Sequence, residues 1–127
     1  MEGKLQVTFI DIILFDSGSV RINKNGQELL LILAETLREN KDQNIIIQGH
    51  TDNVEIGPEL VKIYPTNWEL SAGRSTAVLR YLIENAGIAP ERCVASAFSF
   101  YKPVASNESE EGRRQNRRIE IILVPQG

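Results

Sequence analysis

The chain has 127 residues, 42% of them hydrophobic and 24% charged, with a formal charge of −3 at neutral pH. That size suits one domain around a modest core, and the charge excludes a general polyanion binder. No run approaches the roughly 18 apolar residues of a membrane span, no secretion signal is read at the start, and the single Cys93, read as a small buried hydrophobe, cannot close an internal disulfide.

The first element is a strand over Val7 to Phe15 (VTFIDIILF), rich in β-branched and aromatic residues and broken by Asp16-Ser17-Gly18-Ser19. Asn25 stands three residues before Glu28, the spacing of an N-cap box, and Leu29, Leu30, Leu33 and Leu37 recur at helical spacing. These predict a helix from about Gly26 to Glu39. Ile45-Ile46-Ile47 is a short continuous apolar run, as in a central strand covered on both faces.

The second long helix is the best marked. Thr66 as cap and Glu69 reaching back form a capping box, and Leu70, Ala77, Val78, Tyr81 and Leu82 make an apolar face. Gly87 falls where a left-handed C-cap is needed, and Pro90 prevents continuation. Cys93 to Phe98 reads as a strand, Asn107 as the cap of a short helix through about Gln115, and Arg118 to Val124 as the last strand. The order is β-α-β-α-β-α-β, an α/β pattern in which helices cross between strands of one sheet. The shortness of the last helix leaves the final strand pair open to an antiparallel arrangement.

Arg74 is the odd residue of the second long helix. It lies four after Leu70 and four before Val78, within a stripe about 80° wide at about 100° per residue. A guanidinium beside an apolar stripe needs an acceptor, because an unpaired buried charge costs several kcal/mol. Asp52, at the end of the preceding strand, is the nearest candidate. Two readings follow: an internal Asp52–Arg74 salt bridge, or a pocket in which both face a ligand carrying both charges. The stretch 53–65 between strand and helix is long for an α/β unit, and reads either as a binding wall or as a surface insertion. Asn67 opens the helix beside the pocket with an amide that both donates and accepts. Arg113, Arg114, Arg117 and Arg118 form the only basic cluster, diluted by Glu108, Glu110 and Glu111, without the aromatic interleaving of a nucleic-acid binder. Catalytic signals are poor: His50 is the sole histidine, and with Asp52 alone it makes a thin metal site.

Three ordered segments carry a resemblance: Phe15-Asp16-Ser17-Gly18-Ser19; Gly49-His50-Thr51-Asp52 followed by Asn67, Leu70, Ser71 and Arg74; and Asn116-Arg117-Arg118-Ile119-Glu120-Ile121. On these the chain resembles the OmpA-like C-terminal domain, the peptidoglycan-binding module of OmpA-type porins, Pal lipoproteins and flagellar-motor MotB proteins. It looks closest to the MotB-type branch. The resemblance implies one mixed sheet with helices packed on it. It also implies noncovalent binding of the diaminopimelate-containing stem peptide of peptidoglycan. Asp52 would pair with the ammonium and Arg74 with the carboxylate. Thr51, Asn67 and Arg117 would line the same pocket, Asp16 would lie near its rim, and Arg113 and Arg114 would stay solvated. No catalysis, cofactor, metal or nucleic acid is implied.

The expected setting is the periplasm of a Gram-negative-type bacterium, as the C-terminal portion of a larger envelope protein. Any membrane attachment would lie in an upstream anchor, and a homodimer is in keeping with MotB-type relatives. One departure matters. Ala97, Ser99 and Phe100 stand where the family usually has two glycines and an acid in the turn after the third strand. That departure keeps a second reading in view, a structural or protein-interaction domain with a degenerate pocket. A third, a metal-dependent hydrolase at His50 and Asp52, is the weakest.

Overall fold

The structure, a computed structural model, describes residues 5–126. Its elements are β1 (Leu5–Ile10), α1 (Asp11–Leu14), α2 (Lys24–Glu39), β2 (Gln43–His50), α3 (Asn67–Ala86), β3 (Cys93–Ala97), α4 (Glu110–Asn116) and β4 (Arg118–Pro125), with a 3-10 turn at Pro90–Arg92 before β3. The sheet order is β1-β4-β2-β3. β2 and β3 are parallel, joined by the α3 crossover, while β4 runs antiparallel to both β1 and β2. The sheet is therefore mixed, as the resemblance implied, with β1 and β3 at its edges.

Successive strand residues face opposite sides, and the core lies on the side covered by α2 and α3. Ile45 and Ile47 of β2 and Ile119, Ile121 and Leu123 of β4 meet Leu30, Ala34 and Leu37 of α2 and Val78 and Leu82 of α3. Cys93 is partly buried against this cluster, and burial pushes its thiol pKa up. The other face carries Gln48, His50, Arg118 and Glu120 near the C-terminal end of β2.

α3 starts and stops as its sequence dictates. Thr66 accepts from the Trp68 N–H, Glu69 accepts from the Thr66 N–H at 2.8 Å, and the Thr66 contact holds the Glu69 carboxyl below its usual pKa. Gly87 closes the helix at φ 69°, a conformation glycine adopts without steric cost.

Three boundaries differ from the sequence reading. The first strand stops at Ile10 and not Phe15, because its partner β4 begins at Arg118, opposite Ile10. The Asp11 N–H then caps the ladder on the Arg117 carbonyl (2.7 Å), and 11–14 coil into a helical turn. α2 is capped by Asn23 and not Asn25: the Asn23 side chain accepts from the Gly26 N–H at 2.7 Å. α4 is capped by Ser109, while the expected cap Asn107 accepts from Asn116 Nδ2 at 2.8 Å. Among the described residues no helix is long and apolar enough to cross a membrane.

Candidate functional site

Three segments converge where β2 ends. Gly49, the last inward position of β2, presses on the first turns of α3, where a Cβ would collide with the Ser71 carbonyl. This close approach sets Thr51 and Asp52 beside Asn67 and Arg74. α1 and the α4–β4 junction close the opposite side, and between them lies a cavity of about 300 Å³.

Six charged residues line the cavity: Asp11, Asp52, Glu55, Arg74, Arg114 and Arg117. Arg74 is 5% exposed and Asp52 6% exposed, so both are largely removed from water. They are not bonded to each other. Arg74 Nη1 donates to Asp11 Oδ2 at 2.7 Å and its Nε to the Ser19 carbonyl at 3.1 Å, with the guanidinium 5.0 Å above the Phe15 ring centre. Arg117 Nη1 donates to Asp52 Oδ2 at 2.7 Å and its Nη2 to Glu110 Oε2 at 2.8 Å, while Asp52 Oδ1 accepts from the Val54 N–H at 3.0 Å. The internal Asp52–Arg74 salt bridge, one of the two sequence readings, is thus absent; two separate ion pairs stand in its place. Desolvation pulls the Arg117 pKa down, but the carboxylates of Glu110, Asp52 and Asp11 together hold it above its ordinary value. The same contact holds the Glu110 carboxyl below the usual carboxylate range.

Thr51 and Asn67 also line the cavity, and both are fixed from behind. The Thr51 N–H donates to the Ser99 carbonyl (2.8 Å) and its hydroxyl to the Asp52 carbonyl (2.8 Å); Asn67 Nδ2 donates to the Val54 carbonyl at 3.0 Å. The long 53–65 stretch is a wall: Val54, Ile56 and Leu60 line the cavity, and Tyr64 closes over Gly73, where a Cβ would meet its ring at 2.7 Å.

Asp16 and Arg114 both stand at the edge of the cavity. Asp16 is exposed and does not line the cavity, although its neighbours Phe15 and Ser17 do; Asp11, five residues earlier, supplies the acid on that side. The α1 turn is the cause, since it swings Asp11 under Arg74. Arg114, expected to stay solvated, is exposed but borders the cavity, while Arg113 turns to Glu110 and the Asn107 carbonyl. The signal for Asp11 was in the sequence: an acid between Ile10 and Ile12 in an otherwise apolar run has the same oddity as Arg74.

His50 lies on the other face of the sheet, stacked on Phe98 with ring centres 5.0 Å apart. Desolvation, then Arg118, lowers its pKa to about 4. In the altered turn after β3, Ser99 adopts φ 54° and its N–H donates to Ser71 Oγ at 3.2 Å. The residue is left-handed although it is not a glycine.

The sequence model of the OmpA family matches residues 14–117, which include every residue lining the cavity except Asp11 and Ile12. The chain belongs to the OmpA family. Within it, Motility protein B of Bacillus subtilis is 40% identical over 126 residues, covering 99% of this chain and 47% of that protein. The chain therefore spans about half the length of that relative. A MotB-like protein from Desulfovibrio vulgaris superposes with a TM-score of 0.91 at 35% identity, over 100% of this chain and 76% of the other. The cell wall anchor of the T6SS from Pseudomonas aeruginosa superposes at 0.86 with 37% identity, over 97% and 82%. The expected OmpA/MotB-type fold is what the chain has.

Proposed function

We propose that this OmpA-family domain binds peptidoglycan noncovalently through the diaminopimelate of its stem peptide, and so tethers a larger envelope or flagellar-motor protein to the cell wall. One observation carries the reading: the cavity is lined by three carboxylates and three guanidinium groups, two of them deeply buried yet not bonded to each other. A wall with no net charge but strong local fields suits a ligand carrying one ammonium and one carboxylate. Asp11 and Asp52 flank the place for the ammonium. Arg74 Nη2 has no acceptor among the described residues and is free to take the carboxylate. The relative described as a cell wall anchor supports the same reading. The domain is proposed as a binding module and not an enzyme. Its relatives span Bacillus and Pseudomonas, so the reading requires a peptidoglycan wall and not a particular envelope type.

Isothermal titration with a stem tripeptide ending in diaminopimelate tests it. The expected result is binding by the wild type and a loss of about 2–5 kcal/mol in Asp52→Ala and in Arg74→Ala, part of it from stranding the partner charge. Absence of wild-type binding, or equal binding by the variants, overturns the reading.

A further inference from the structure

A second groove, of about 390 Å³, adjoins the charged cavity and shares Glu55, Ile56 and Asn67 with it. Its chemistry is different. Glu55 is the only charged residue lining it, and its floor is aromatic. Trp68 and Tyr101 stack with ring centres 5.5 Å apart and planes 18° from parallel, and Phe100 extends the stack at 4.4 Å from Tyr101. Trp68 is 47% exposed and Tyr101 60% exposed, so neither ring is committed to the core.

We propose that this shelf is a subsite for an N-acetylated amino-sugar ring, the glycan part of the same ligand whose charged end occupies the cavity. The proposal rests on the peptidoglycan reading and goes beyond it by placing a second contact at residues outside the charged clamp. The area of Trp68 and Tyr101 that the stack leaves exposed offers an aromatic surface for the C–H face of a pyranose, which is uncharged and needs no ion pair. Beside them the Glu55 carboxylate supplies a polar edge for hydroxyl and acetamido groups. The shared lining makes the two sites continuous. A stem peptide held by its diaminopimelate in the cavity is covalently joined to just such a sugar in the wall. The departure of Phe100 from the family's usual acid thereby acquires a role: it removes a charge from the shelf and adds a ring.

Trp68 is the only tryptophan of the chain, so its fluorescence reports on this shelf alone. Two ligands separate the sites: the stem tripeptide ending in diaminopimelate, and the same peptide carrying its N-acetylglucosamine–N-acetylmuramic acid disaccharide. The glycosylated ligand should bind the wild type roughly 3- to 10-fold more tightly than the bare peptide, and it alone should shift the Trp68 emission. Trp68→Ala and Tyr101→Ala should each erase that gain while leaving affinity for the bare peptide unchanged, and Trp68→Phe should keep it. Equal affinity of the two ligands for the wild type overturns the shelf and leaves the clamp standing, as does a gain that survives both alanine substitutions. An emission shift produced equally by the bare peptide assigns the groove to peptide and overturns the sugar. Self-association that disappears in Trp68→Ala assigns it to a second copy and likewise overturns the sugar. If neither ligand binds, the proposed function itself falls, a result distinguishable from all of these.

Discussion

Two buried arginines, at the two sides of one sheet, are held in different ways. Arg118 on the open face is closed on itself: Nε donates to Glu120, Nη1 to the Asn116 carbonyl at 3.2 Å and Nη2 to the Lys102 carbonyl at 2.9 Å, and Glu120 also accepts from Gln6 at 2.9 Å. Arg74 on the helix side uses two of its nitrogens and presents the third to a cavity. Both guanidinium groups are largely buried, so burial alone does not tell a structural ion pair from a binding one. The difference lies in how many donors are satisfied. A network with every nitrogen bonded fixes the chain, whereas one with a spare donor facing a cavity is prepared for an acceptor that the chain does not supply.

The largest test of this contrast is Arg118→Ala, which strands the Glu120 carboxylate and should lower unfolding stability by about 3–5 kcal/mol in a urea titration. The double replacement Arg118→Met with Glu120→Leu should recover most of that loss and leave stem-peptide affinity unchanged, because a closed pair is replaceable by apolar residues of similar size. Recovery of stability together with loss of binding would join the two networks and break the comparison.

His50 sharpens the comparison on the closed side. Its pKa is about 4 in the folded chain against an ordinary 6.5, so above pH 6.5 it is neutral in both states and contributes no pH dependence. Between 6.5 and 4 the unfolded chain takes up the proton and the folded chain does not, so stability falls as the pH drops, by up to about 3 kcal/mol. Urea midpoints measured from pH 7 to 4 should show this decline in the wild type. The wild-type-minus-variant difference should expose it against His50→Gln, which has no imidazole to titrate.

The smallest effect lies at the seam between the two regions. Ser99 holds a positive φ, and its buried hydroxyl has no hydrogen-bond partner among the described residues. Ser99→Gly should relieve both costs and raise stability by about 1 kcal/mol, less the entropy that glycine adds to the unfolded chain. Thermal unfolding measures it, and a lower midpoint would show that the serine is better accommodated than its dihedral suggests.

What could be read in advance followed from local chemistry. The α3 start at Thr66 and Glu69, its stop at Gly87, and the place of Arg74 on its inner stripe all depend on spacing within one helix. What could not be read depended on the partner. Nothing in Val7 to Phe15 announces that β4 runs out opposite Ile10, so although the acid at Asp11 stood out in its apolar run, the turn that carries it under Arg74 was hidden. Asn25 and Asn107 were plausible caps by spacing. They lost to Asn23 and Ser109 because tertiary contacts set those termini: the Asn23 N–H is held on the Leu14 carbonyl at 2.8 Å, and Asn107 is drawn to Asn116. The pairing of Asp52 with Arg117 needed two segments 65 residues apart to meet, a distance no local pattern spans.

The β1–β4 pair has a mechanical consequence. Asp11 directly follows β1 and Arg117 directly precedes β4, so the charged cavity sits at one end of this antiparallel pair and Leu5 at the other. A pull applied at Leu5 against a ligand held at Asp52 and Arg74, which other elements carry, runs along the strand axis. The cross-strand hydrogen bonds lie perpendicular to that axis. The pull therefore shears the rungs from Leu5–Leu123 to Ile10–Arg118 together and does not peel them one at a time. Resistance to tension in that direction comes from the register of one edge strand, independent of how tightly the ligand is gripped.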